Sequence, residues 1–148
     1  MKPPTPKPVI GWREWVALPD LGVEWVKAKI DTGARSSSLH AWDIEIDGTE
    51  VSFNVHPLQD DDALVVAVRA PLVEEREVRS SNGEVEVRPV IRTLALIERA
   101  AIDIELTLSN RDEMGFRMLL GRAAIRRRFV VDPGRSFLGG GSRVLAPS

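Results

Sequence analysis

The chain has 148 residues, 20 basic and 22 acidic side chains for a formal net charge of −2, and no cysteine. That length suits a single domain with its own core, and the missing cysteine excludes disulfides, thiolate nucleophiles and Cys-based zinc sites. The charge balance offers no bulk field to gather nucleic acid, and no apolar run is long enough to span a membrane, so neither is expected as a partner.

Residues 1–8 are proline-rich and lack the apolar centre of a signal peptide, which predicts a flexible arm and a cytoplasmic location. The folded domain is expected over residues 9–138, with residues 139–148 as a flexible tail. Residues 9–18 read as extended, Pro19-Asp20-Leu21-Gly22 as a turn, and residues 23–30 as a strand with Val26, Ala28 and Ile30 on one face. That strand runs into Asp31-Thr32-Gly33 and a polar loop. Asp and Gly are ordinary turn residues, so the triplet reads in the first place as a strand end. A carboxylate held where a rigid strand meets an exposed loop is also well placed for chemistry.

The clearest hairpin follows, with Trp42, Ile44 and Ile46 alternating with acids before Asp47-Gly48, then Val51, Phe53 and Val55. Asp-Gly predicts a tight primed turn. Residues 57–62 read as a polar loop and residues 64–68 as a buried strand. Residues 74–88 form a second hairpin around Ser80-Ser81-Asn82-Gly83, so polar that only Val78, Val85 and Val87 are left as apolar anchors. Such a ribbon belongs over solvent or a cleft. Residues 89–96 and 101–108 are two further strands, joined through a segment that also reads as a short helix. Residues 110–115 make a turn, 116–120 a strand closed by Gly121, 122–128 a short helix, and 129–131 and 137–138 short extended pieces. Many short strands and one helix predict an all-β barrel or sandwich.

Three chemistries compete. Ser36, Ser37, Ser38 and His40 invite a serine-hydrolase reading, but adjacent loop residues rarely form a triad and G-x-S-x-G is absent. A zinc amidase needs His40 and His56, far apart in sequence, with a carboxylate such as Asp31 or Asp43 as third ligand, without any H-E-x-x-H to support it; no cofactor or metal is expected. An aspartate pair sharing one proton needs a second carboxylate, and since D-T-G occurs once, that group comes from a second copy of the chain.

The segments Gly11-Trp12-Arg13-Glu14-Trp15-Val16, Lys27 through Ala41, Arg88-Pro89-Val90-Ile91, Asn110-Arg111-Asp112 and Phe116 through Arg122 together resemble the bacterial retropepsin-like aspartic endopeptidases, historically labelled ATP-dependent zinc proteases. The resemblance implies a retropepsin-like acid protease barrel with a flap hairpin. It implies a homodimeric hydrolase of peptide or isopeptide-type amide bonds, with Asp31 catalytic and Thr32, Gly33, Ala34, Gly121 and Arg122 supporting it. It assigns Arg35 and the flap tip Ser80, Ser81, Asn82 and Gly83 to substrate, although the Trp42–Val55 hairpin also competes as the flap. A functional link to a glutamate-ligase-type enzyme makes an acidic protein tail the expected substrate.

Three departures from the retroviral pattern stand out. Arg35 replaces the Asp after D-T-G-A, so Arg122 must find another partner, Asp112 or Asp132. The 90 positions between Asp31 and Gly121 (121 − 31) leave room for insertions that reshape the cleft. The tail has only Val144-Leu145 to offer an interface strand. Ala34, where many pepsin-like enzymes carry a hydroxyl, predicts activity toward neutral pH. A non-catalytic peptide-binding or adaptor domain on the same fold is the alternative.

Overall fold

A computed structural model describes residues 6–57, 64–79, 82–98, 100–110 and 115–139. Six strands close into a barrel: β2 (Arg13–Leu18), β3 (Val23–Asp31), β4 (Ser37–His40), β9 (Val85–Ile97), β10 (Ala100–Ser109) and β11 (Met118–Gly121). The ring runs β10, β4, β11, β3, β2, β9 and returns to β10. Closure removes free edges from the core-bearing strands. β8 (Glu74–Arg79) extends the ring outward from β9. β5 (Trp42–Asp47), β6 (Glu50–Val55) and β7 (Val66–Pro71) form a separate antiparallel sheet, and β1 (Val9–Gly11) lies parallel to β12 (Val130–Asp132). Among the described residues no helix is long and apolar enough to cross a membrane.

Alternation explains most strands. In β3 the apolar Val26, Ala28 and Ile30 point inward while Lys27 and Lys29 sit on the other face; Val26 and Ala28 are fully buried. They meet Leu39, Ile91, Leu106 and Leu120 in one continuous core. Each buried branched side chain of this kind contributes about 1.5–3 kcal/mol relative to exposure.

Elsewhere the structure departs from pattern. Asp47 pairs with Glu50, so the first hairpin turns on Gly48-Thr49, one residue beyond Asp47-Gly48, and only Gly48 takes positive φ (62°). β7 begins at Val66, leaving Leu64 and Val65 about half exposed rather than buried. The strands expected at 84–88 and 89–96 are one 13-residue strand, β9, whose first half pairs with β8 and second half with β10. Val85 and Val87 lie on its outer face and anchor nothing; the inward face carries Arg76, Val78, Glu86 and Arg88. No helix joins β9 to β10, because Ile97 pairs directly with Ala100 across a two-residue turn with Glu98 at φ 56°. The helix α1 (Arg122–Ile125) stops after one turn, as Arg126 returns to extended backbone and Arg127 takes φ 70°. Phe137 also has positive φ, 55°, and forms no strand. The expected polar loop at 57–62, most of the turn at 110–115, and the tail beyond 139 lie largely outside the described residues.

Candidate active site

β3 delivers Asp31 at its last position, half-buried, after Ile30 has bonded to the Trp12 carbonyl at 2.8 Å. The chain then folds back on the carboxylate: Gly33 N–H and Ala34 N–H donate to Asp31 Oδ1 at 2.9 and 3.1 Å. A Cβ at Gly33 would stand 3.3 Å from that oxygen, so glycine keeps the turn tight against it. Asp31 Oδ2 accepts no hydrogen bond among the described residues. One oxygen is fixed and the other is left open.

The support beneath this loop comes from far along the chain. β11 threads between β3 and β4, parallel to the first and antiparallel to the second, and sets Gly121 opposite Asp31. A Cβ at Gly121 would fall on the Ser36 carbonyl and lie 2.9 Å from the Arg35 oxygen, which explains the glycine. Gly121 N–H donates to Ser37 Oγ at 3.0 Å in a buried contact. Arg122 and Ala123 N–H groups at the start of α1 donate to the Ala34 and Arg35 carbonyls at 2.6 and 3.1 Å. The Arg122 guanidinium reaches the Thr32 carbonyl at 3.2 Å and that of Gly33 at 3.5 Å. Its expected partner Asp132 instead accepts from Gly134 N–H, and Asp112 lies outside the described residues. An arginine that bonds carbonyls needs no acid beside it, which is how Arg35 can occupy the retroviral Asp position without orphaning Arg122.

Beside the loop opens a cleft of about 450 Å³, lined by Arg35, Ser36, Arg76, Arg92, Glu105 and Ala123 among others. Arg76 belongs to β8, so the polar β8–β9 ribbon borders the Asp31 loop, whereas the Trp42–Asp47 and Glu50–Val55 strands belong to the separate sheet. Arg76 is bonded to Glu74 and, at 3.1 Å, to Glu105, which ties the ribbon's root to β10. These contacts hold the Arg76 guanidinium above its ordinary pKa, the Glu74 hydrogen bond most of all. At the ribbon's end Asn82 Oδ1 accepts from Glu84 N–H at 3.1 Å, and Gly83 takes φ 88°; both are exposed. Ser80 and Ser81 lie outside the described residues.

The structure therefore gathers Asp31, Thr32, Gly33, Ala34, Gly121 and Arg122 at one junction of strand, loop and helix, with Arg35 on its rim. The serines have separate tasks: Ser37 holds Gly121, and its carbonyl accepts from Thr107 Oγ1 at 3.3 Å. His40 packs on Trp42 with ring centroids 4.0 Å apart and lies 3.0 Å from the Asn110 carbonyl, while His56 meets the same indole edge-on at 4.2 Å. Among the described residues no three His, Asp or Glu side chains gather as a metal set would.

Sequence reasoning missed Glu14. It is fully buried, and its carboxylate accepts from Gly11, Leu138 and Gly139 N–H at 2.7, 2.8 and 2.9 Å. It thereby ties β1 and the C-terminal segment to β2, next to Trp12 and hence to Asp31. The signal was present: Glu14 falls on the phase of β2 that carries Val16 and Leu18, where a charge is out of place.

The chain resembles known proteins over most of its length. A family model described as retropepsin-like aspartic endopeptidase RimB matches residues 9–140. Two curated proteins named "Probable alpha-L-glutamate ligase" are similar. The one from Desulfotalea psychrophila is 49% identical over 131 residues, covering 86% of this chain and 28% of the relative. The one from Shewanella halifaxensis is 44% identical over 133 residues, covering 87% and 29%. The chain thus spans under a third of the length of these relatives. Lpg0085 from Legionella pneumophila, a crystal structure of a protein of unknown function, superposes with a TM-score of 0.72 at 27% identity, covering 89% of this chain and 98% of that one.

Proposed function

Because the chain belongs to the RimB-like family of retropepsin-like aspartic endopeptidases, we propose that it hydrolyses peptide or isopeptide-type amide bonds with a pair of Asp31 side chains, one from each subunit of a homodimer. The observation that carries this reading is the asymmetry of the Asp31 carboxylate, one oxygen fixed by Gly33 and Ala34 N–H groups and the other open. Two such carboxylates a few ångströms apart cannot both ionise readily, so the pair keeps one proton. The ionised member takes a proton from a water whose oxygen adds to the carbonyl carbon, while the protonated member donates to the carbonyl oxygen. Collapse of the tetrahedral species then breaks the C–N bond, the amine leaves with a proton, and a carboxylate remains. Thr32 links the two loops through its hydroxyl, and Arg122 braces their carbonyls. The β8–β9 ribbon serves as the lid that excludes bulk water.

Arg35 on the rim suits a substrate with carboxylates near the scissile bond. The ligase names of the longer relatives favour the same chemistry, an acidic protein tail, and a working link to a glutamate-ligase-type enzyme. The matching compartment is the cytoplasm.

The test is co-production of intact chain with Asp31→Asn at equal levels. If both carboxylates act, only homodimers of intact chain are active, and activity per total protein falls to about a quarter; independent subunits would retain about half. With Ala34 in place of a hydroxyl residue, the pH–rate profile should peak toward neutrality. A peak near pH 3 would count against the pair as drawn, and a monomer unaffected by Asp31→Asn would leave a binding domain.

A further inference from the structure

The described arginines differ in what they meet. On the sheets four are matched by acids: Arg69 by Asp47 and Glu50, Arg76 by Glu74 and Glu105, Arg88 by Glu86, Arg92 by Asp103. Arg13, Arg79 and Arg117 reach the Ser136 hydroxyl, the Gly83 carbonyl and the His40 ring. Around α1 the pattern is different. Arg35, Arg126 and Arg127 are exposed, and their guanidinium groups meet no carboxylate among the described residues, while Arg122 and Arg128 donate only to backbone carbonyls. Five arginines, Arg35, Arg122, Arg126, Arg127 and Arg128, thus concentrate positive charge on the face of α1.

That face is also concave. Arg126, Arg127 and Arg128 line a hollow of about 400 Å³ together with Ala123. Ala123 also lines the cleft that contains Arg35. The two depressions share this small exposed residue, so the hollow of the three arginines adjoins the cleft beside the loop after Asp31, with α1 as the path between them. Arg127 holds left-handed backbone at φ 70°, a conformation that costs a non-glycine residue about 1 kcal/mol. Strain retained at an exposed arginine, where glycine would relieve it, is a pointer to use of the side chain.

We infer that this path anchors an acidic stretch of the polypeptide being cut, several residues away from the scissile bond; the inference rests on the amide-hydrolase reading above. Forked guanidinium groups suit carboxylates held in an extended chain. Nucleic acid fits less well: neither hollow is lined by an aromatic side chain on which bases could stack, and the net charge of −2 supplies no bulk attraction. The anchor acts on capture of substrate and leaves the chemical step alone.

The decisive variant is Arg126→Ala with Arg127→Ala in the full chain, with a thermal melt to confirm that the fold survives. Binding of a fluorescein-labelled glutamate-rich dodecapeptide is read by anisotropy in an Asp31→Asn background, so the result does not depend on turnover. The double variant should bind about five- to tenfold more weakly, with a shallower dependence on salt, and Lys at both positions should restore most of the loss. In the Asp31-containing enzyme the same variant should raise KM for an acidic substrate and leave kcat unchanged. Equal anisotropy curves for variant and parent would overturn the anchor, as would a single-stranded RNA of matched charge that binds more tightly and loses its affinity in the variant. If no amide is cleaved under any condition yet the double variant still loses peptide affinity, the hydrolase reading fails and the anchoring surface stands.

Discussion

A buried charge is informative about the rest of its neighbourhood, and Glu14 is the clearest case. Three N–H donors converge on it from two segments far apart in the chain, the first strand and the stretch around Leu138. Removing the carboxylate leaves three backbone donors without a partner inside the protein. Glu14→Ala should therefore cost about 3–5 kcal/mol, read as a fall in Tm of about 10 °C or more. Glu14→Gln, which keeps one acceptor oxygen, should lose less. A melt of Glu14→Ala within 2 °C or so of the parent would show that the two segments are held by other means. The residues around Asp31 follow the same logic with smaller parts. Ser37 spends its hydroxyl on Gly121 N–H, and Gly121 spends its missing side chain on the Ser36 carbonyl. Neither role can be inferred from a serine or a glycine in isolation, because each partner lies more than 80 positions away.

At the scale of elements, what was legible in the sequence was whatever a short window can hold. The alternation in β3, β5 and β6 and the break at Asp31-Thr32-Gly33 were readable because both faces and the turn chemistry fit within ten residues. The matching of Met118 through Arg122 to the loop came from resemblance, since nothing local says that β11 inserts between β3 and β4. Boundaries failed where tertiary contacts overrode pattern. Leu64 and Val65 stay about half exposed, α1 ends early at Arg126, and β9 runs unbroken past Pro89, which pairs with Glu75 of β8 just beyond the register of β9 with β10. The β8–β9 ribbon yields its own prediction. Its inward face is tied down at Arg76–Glu105 and Ser109–Glu86, whereas its tip at Asn82 and Gly83 is exposed. Replacing residues 80–83 by a two-residue Asn-Gly turn should leave Tm nearly unchanged and lower kcat/KM by about tenfold or more, because a shortened lid no longer excludes water. Unchanged kcat/KM would remove the ribbon from the catalytic cycle.

At the scale of the molecule, β1 pairs with β12 of its own chain, from Val9–Val130 to Gly11–Asp132, so these two strands are not exchanged between copies. The proposed dimer therefore draws on other surfaces, the Asp31 loops among them, and should be weak. Specific activity should fall on dilution through the micromolar range, with a matching shift in sedimentation from dimer to monomer. Activity proportional to concentration down to nanomolar enzyme would overturn the weak dimer.

The threading of β11 between β3 and β4 also sets an order of events in time. Asp31 is made 90 residues before the end of the strand that braces it (121 − 31). Until Met118–Gly121 is available, β3 and β4 have a gap between them, and Gly121 and Arg122 are absent from the loop. A nascent or truncated chain thus carries Asp31 without its brace. Pairings of such long sequence separation form only after the intervening chain has closed on itself. Under the proposed function, the place of one strand in the chain delays assembly of the site until most of this domain has been made.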